Sequence, residues 1–134
     1  MLRQLDEQTA VAGQIAPEEV PELAARGIRL IVNNRPDHEE PGQPDSAEIA
    51  AAAAAAGLDY KHIPIGQLTP EAIEQMAQAL TAAPGPVLAF CKAGTRSTYL
   101  WALARTLAGA DDEELVAKAA AAGYDLTPIR RFLR

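Results

Sequence analysis

Cys91 and Arg96 stand at the two ends of a short polar run, Cys91-Lys92-Ala93-Gly94-Thr95-Arg96, with Ser97 directly after it. The run follows the apolar Val87-Leu88-Ala89-Phe90 and leads into residues at helical spacing, so it reads as a strand, a tight loop and a helix start. N–H groups of such a loop and of the first helical turn have no intrahelical partners, and the helix dipole favours negative charge beside them. The same field favours thiolate over thiol, and thiolate is the nucleophilic form. Arg96 adds a planar, permanently charged fork suited to an oxyanion. The expected chemistry is attack by Cys91 on an anionic substrate, bound by Arg96 and by Lys92, Ala93, Gly94 and Thr95, with Ser97 donating to the thiolate. Alone, a cysteine at a strand end is a small buried hydrophobe. Arg96 also has a structural reading, tying the loop to an acidic neighbour.

The elements that must hold this loop can be read in order. Thr9 to Ile15 reads as a short strand, with Gly13 marking a bend or a close backbone approach. Pro17 to Gly27 has helical spacing, and Pro21 distorts that helix or delays its start. Ile28 to Asn33 is a buried strand. Asn34 to Pro44 carries three prolines and a glycine among charged residues, and so reads as a long functional loop. Asn34, Arg35 and Asp37 are candidates in it, either to face substrate or to form an Asx-type turn with an ion pair.

Asp45-Ser46-Ala47-Glu48 matches a capping box, and Gly57 ends the alanine-rich helix that follows. Leu58 to Ile65 is a third strand, placed at an edge by Pro64; His62 within it reads as a hydrogen-bonded histidine rather than a general base. Thr69 caps a helix that Pro70 opens, and Pro84-Gly85-Pro86 ends it. Val87 to Phe90 is apolar throughout, as a central parallel strand must be. From Ser97, Leu100, Trp101, Leu103, Ala104 and Leu107 describe a helix buried around most of its circumference. Asp111 caps a helix over 112–122, and Thr127-Pro128 opens a short terminal one. This order predicts one α/β domain over residues 1–134, with a mostly parallel sheet of four to five strands flanked by helices and the Cys91 loop at the carboxyl end of a central strand.

Bulk properties narrow the partners. The net charge of −6, with no stripe of Lys and Arg, argues against nucleic acid and anionic membranes. No apolar run reaches the length of a membrane span, and the first residues lack a signal-peptide stretch, so a cytoplasmic protein is expected. One cysteine and two histidines leave no internal disulfide and no dedicated metal site, and no cofactor is expected.

Cys-Lys-Ala-Gly-Thr-Arg-Ser resembles the signature of rhodanese sulfurtransferases and of protein tyrosine and dual-specificity phosphatases. Together with Val11-Ala12-Gly13-Gln14, Asn33-Asn34-Arg35-Pro36-Asp37, Gly42-Gln43-Pro44, His62-Ile63-Pro64 and Ala121-Ala122-Gly123-Tyr124-Asp125-Leu126, it is similar to the phosphatase-like domain of beta-lactamase hydrolase-like proteins, some of which are named sulfurtransferases. The resemblance implies a dual-specificity-phosphatase-like fold. In longer relatives it implies a joined metal-dependent persulfide dioxygenase, whose ligands are not among these residues; a separate dioxygenase is then a possible partner.

Loop length separates two reactions. The phosphatase pattern places five residues between cysteine and arginine, whereas four intervene here, as in the rhodanese loop. A dual-specificity phosphatase also carries an acid aspartate after the stretch resembling His62-Ile63-Pro64-Ile65, where this chain has Gly66-Gln67. Thiols leave as anions more readily than alkoxides and need less acid catalysis. The expectation is therefore sulfur transfer from thiosulfate or a persulfide, through a Cys91 persulfide, to an acceptor thiol. The alternative is a phosphatase acting through a phosphocysteine, with Asp37 as proton donor. A module that binds an anion or a partner without turnover is the third reading.

Overall fold

The computed structural model describes residues 2–133. Its strands are β1 (Arg3–Gln4), β2 (Thr9–Ala12), β3 (Leu30–Asn33), β4 (Asp59–His62) and β5 (Val87–Phe90). They form one sheet in the order β1-β2-β5-β3-β4. β5 lies between β2 and β3, parallel to both, β4 pairs parallel with β3 at the edge, and only β1 is antiparallel. The fold is α/β with a mostly parallel sheet, and the apolar β5 is its central strand. The edge place of β4 accords with Pro64, since a proline cannot donate to a further strand.

Helices cover both faces. Val20, Leu23, Ile49 and Ala53 from α1 (Val20–Ala25) and α2 (Ser46–Ala55) pack on Leu88 and Phe90 of β5, whereas Val87 and Ala89 face α3 (Pro70–Ala82), α4 (Thr95–Leu107) and α5 (Asp112–Ala121). That alternation is the period-two geometry of a strand covered on both sides. All four β5 residues are inaccessible to solvent. α4 buries Leu100, Trp101, Ala102 and Ala104 along with Ser97 and Thr98, as its sequence pattern requires.

Local signals account for most boundaries. Asp45 caps α2, accepting from the Glu48 N–H while Glu48 reaches back to the Asp45 N–H, and Thr69 and Asp111 cap α3 and α5. Pro21 sits in the first turn of α1, after a 3-10 turn at Pro17–Glu19, so the helix starts later, where a proline lacking its N–H costs nothing. Other boundaries shift. β2 stops at Ala12 because Gly13 turns towards the cysteine loop, and β4 is shorter than 58–65. α4 starts at Thr95 rather than Ser97, and the terminal helix is a 3-10 segment, Thr127–Phe132. β1 is two exposed residues, too short and polar to show a strand pattern. Among the described residues, no helix is long and apolar enough to cross a membrane.

Candidate active site

The carboxyl ends of β2, β5 and β3 meet at the cysteine. Its N–H donates to the Ala12 carbonyl at 3.3 Å, and the Asn34 N–H donates to the Phe90 carbonyl at 2.8 Å. The sheet register therefore sets Cys91 beside the ends of both neighbouring strands. Cys91 is only 1% exposed, and its Sγ accepts a hydrogen bond from the Gly94 N–H at 3.1 Å. That bond requires the loop to fold back within four residues. Gly94 does this at φ +90, and it also caps α4, a conformation that costs glycine little.

Two approaches close around the loop. A Cβ on Gly13 would lie 2.9 Å from the Lys92 carbonyl, which also accepts from the Gln14 N–H; the glycine is there for close backbone approach. On the other side the Tyr124 hydroxyl donates to the Ala93 carbonyl at 3.2 Å, and a Cβ on Gly94 would collide with that hydroxyl. Burial raises the Tyr124 phenol above its ordinary pKa, against the pull of Arg3.

Arg96 has two carboxylate contacts and one carbonyl. Its Nη1 donates to Glu39 Oε2 at 2.8 Å and to the Ile65 carbonyl at 2.9 Å, and its Nη2 donates to Glu39 Oε1 at 2.9 Å. Glu39 Oε1 also accepts from Arg35 Nε at 2.8 Å, Arg35 Nη2 donates to Glu40 at 2.6 Å, and Lys92 Nζ lies 3.5 Å from Glu40. Hydrogen bonds from Arg96, opposed by partial burial and reinforced by Arg35, hold the Glu39 carboxyl at about 2 against an ordinary 4.5. Glu39 is thus firmly ionised.

The sequence-predicted residues separate into two groups. Ala93, Gly94 and Arg96 lie around Cys91, Thr95 opens α4, and the Lys92 side chain lies on the rim, 59% exposed. Three others differ from the contacts expected of them. The Ser97 hydroxyl donates to Asn34 Oδ1 rather than to the thiolate, because α4 starts early and turns Ser97 towards β3. Asn34 is fully buried, and its Nδ2 donates to the Ile63 carbonyl. Asp37 Oδ1 accepts from the Ser46 N–H at 2.8 Å, at the start of α2.

Arg35 fits the turn reading. Its N–H donates to Asn33 Oδ1, its side chain is paired with Glu39 and Glu40, and its carbonyl accepts from His62 Nε2. Glu39 and Tyr124 escaped the sequence reading. A carboxylate in a long charged loop was visible, but nothing marked Glu39 above Glu40, and Tyr124 lies 31 positions from the carbonyl it meets.

With this geometry in place, three comparisons bear on it. The family described as beta-lactamase hydrolase-like protein, phosphatase-like domain, matches residues 1–108. A beta-lactamase hydrolase-like protein of Agrobacterium fabrum is 42% identical over 107 residues, which are 78% of this chain and 25% of that protein; the chain spans about a quarter of this relative's length. Among solved structures, the candidate phosphatase NMA1982 from Neisseria meningitidis is similar at TM-score 0.83 and 34% identity, covering 96% of this chain and 93% of the other. PTPMT1 is similar at TM-score 0.76 and 15% identity over 98% of this chain and 93% of its own, a likeness of fold.

Proposed function

This chain belongs to the phosphatase-like domain family of beta-lactamase hydrolase-like proteins, and from that premise we propose that it is a cysteine-nucleophile enzyme that transfers sulfane sulfur. One observation carries the choice of sulfur: Asp37 and the Arg96-paired Glu39 are both committed to other partners. Asp37 accepts from Ser46, and Glu39 is held ionised by Arg96 and Arg35. An alkoxide leaving group needs a proton that neither supplies in this arrangement, whereas sulfite or a thiolate leaves without one.

Cys91 thiolate attacks the outer sulfur of thiosulfate or of a low-molecular-weight persulfide. The donor's S–S bond breaks, sulfite or thiolate departs with the electron pair, and Cys91 becomes a persulfide. The Gly94 N–H and the Arg96 guanidinium stabilise the charge on sulfur. An acceptor thiolate then takes the outer sulfur and restores Cys91; a small thiol, or a persulfide supplied to a separate dioxygenase, is the proposed outlet.

Phosphate ester hydrolysis through a phosphocysteine is the second reading. The comparisons favour it over sulfur transfer, since the family description is phosphatase-like and the structural neighbours carry phosphatase names. Intact mass after treatment with thiosulfate or a persulfide separates the two. Sulfur transfer expects one added sulfur, removable by cyanide as thiocyanate and absent in Cys91→Ser. If no sulfur is added while an aryl phosphate is hydrolysed in a Cys91-dependent way, the phosphatase reading replaces it. If neither occurs, the chain is a binding module.

A further inference from the structure

The guanidinium that faces the cysteine is already half occupied. Of its five N–H donors, Glu39 takes two and the Ile65 carbonyl one. Glu39 is also pinned from behind: its N–H and that of Glu40 donate to Gln43 Oε1, and Gln43 Nε2 donates to the Pro36 carbonyl. Three cations, Arg35, Lys92 and Arg96, face two carboxylates, Glu39 and Glu40. One positive charge remains, and a thiolate on Cys91 cancels it. An open anion cradle keeps its arginine's charge for the ligand; here a carboxylate fixed by three hydrogen bonds from two guanidinium groups subtracts it.

We propose that Glu39 sets the charge selectivity of the site, disfavouring dianions relative to monoanions at the Arg96 fork while leaving the two remaining guanidinium N–H groups for the ligand. The proposal rests on Cys91 lying in an anion-accepting site, as the function above assumes, and it concerns which anions are accepted: of the two sulfur donors named there, it places the thiosulfate dianion behind a persulfide that presents a single charge to the fork. The physical reason is direct: the Coulomb cost of approaching a fixed carboxylate doubles from monoanion to dianion, and at a few ångströms in partly screened surroundings that difference is worth about a factor of ten. Glu39 stays ionised throughout the neutral range, so the selectivity does not depend on its titration.

The chain has a single cysteine, so the rate of its alkylation by iodoacetamide, followed by intact mass, reports on Cys91 alone. Protection of Cys91 is titrated with sulfate, a tetrahedral dianion, and with methanesulfonate, a tetrahedral monoanion, in wild type, Glu39→Gln and Glu39→Asp. Each protection constant is read against that protein's own unprotected rate. In wild type, sulfate is expected to protect no better than methanesulfonate. In Glu39→Gln, sulfate protection tightens about tenfold and methanesulfonate protection by less than about threefold, while Glu39→Asp keeps the wild-type ratio.

A wild-type preference for sulfate of tenfold or more overturns the proposal, and this comparison needs no variant to fold. So does a loss of protection by both anions in Glu39→Gln, which would make Glu39 only a positioning residue for Arg96. Failure of both anions to protect any of the proteins also overturns it, because the fork would then be closed. Sulfur transfer is judged separately by the added mass on Cys91, so either idea can fail without the other.

Discussion

The Ser97 hydroxyl donates to Asn34 Oδ1 at 2.7 Å, and both side chains are fully buried. This bond joins the first turn of α4 to the end of β3, and the Asn34 amide carries the connection on to the Ile63 carbonyl beyond β4. These bonds tie the cysteine loop to β3 and β4 on one side of β5, and on the other side the Cys91 N–H donates to the Ala12 carbonyl at the end of β2.

Ser97→Ala leaves Asn34 Oδ1 buried without that donor, which costs about 1–3 kcal/mol. Urea unfolding at neutral pH should show this loss, while sulfur loading of Cys91 in the folded protein stays within a few fold of wild type. A hundredfold loss of loading at unchanged stability would instead restore Ser97 as a donor to the thiolate.

Arg96→Lys keeps the charge but loses the planar fork that meets Glu39, the Ile65 carbonyl and the ligand together. Single-turnover loading of Cys91, measured in the folded protein, should fall about a hundredfold or more. An equal rate in the variant would mean that Arg96 is only a tether for Glu39.

The Glu39 carboxyl lies at about 2 in the folded chain against an ordinary 4.5. A depressed folded-state value contributes stability that is full above the unfolded value and is lost as pH falls towards the folded one. Acid destabilisation between about pH 4.5 and 2 should accordingly be smaller in Glu39→Gln than in wild type, measured by urea midpoints across that window. Identical acid profiles would show that the ion pairs with Arg96 and Arg35 do not form in solution.

Gly94→Ala meets two separate penalties, a left-handed φ of +90 and the Tyr124 hydroxyl. The first is worth about 1–2 kcal/mol. Tyr124→Ala in the same chain should recover the steric part and leave the backbone part. The coupling in this double-mutant cycle therefore reads the contact between the terminal segment and the cysteine loop. Additive effects would mean that the two residues do not touch.

Much of the fold was legible. Val87 to Phe90 announced a central strand because burial on both faces leaves no polar alternation, and Asp45 with Glu48 announced a helix start because a capping box is local chemistry. Gly13 was legible as a close approach without the identity of what approaches it. The candidate site was legible as the loop from Cys91 to Arg96, because the strand before it and the helix after it are local signals. It was not legible at Ser97, where a helix beginning two residues earlier swings a hydroxyl from the sulfur to Asn34, nor at Asp37, whose carboxylate was equally suited to an active site or to the Ser46 N–H.

By itself the sequence determined the order of the parallel strands and the helices, and the strand-loop-helix junction that carries Cys91, because these depend on neighbours a few positions apart. The tertiary structure alone decided how the charges pair. Glu39 and Arg96 are 57 positions apart, and the placement of β3 beside β5 brings their two loops together; Glu39 and Glu40 are chemically alike, and what separates them is that the folded loop turns one onto Arg96 and the other onto Lys92. Spacing along the chain encodes periodicity and caps, but the choice among equivalent ions is made by distance in space.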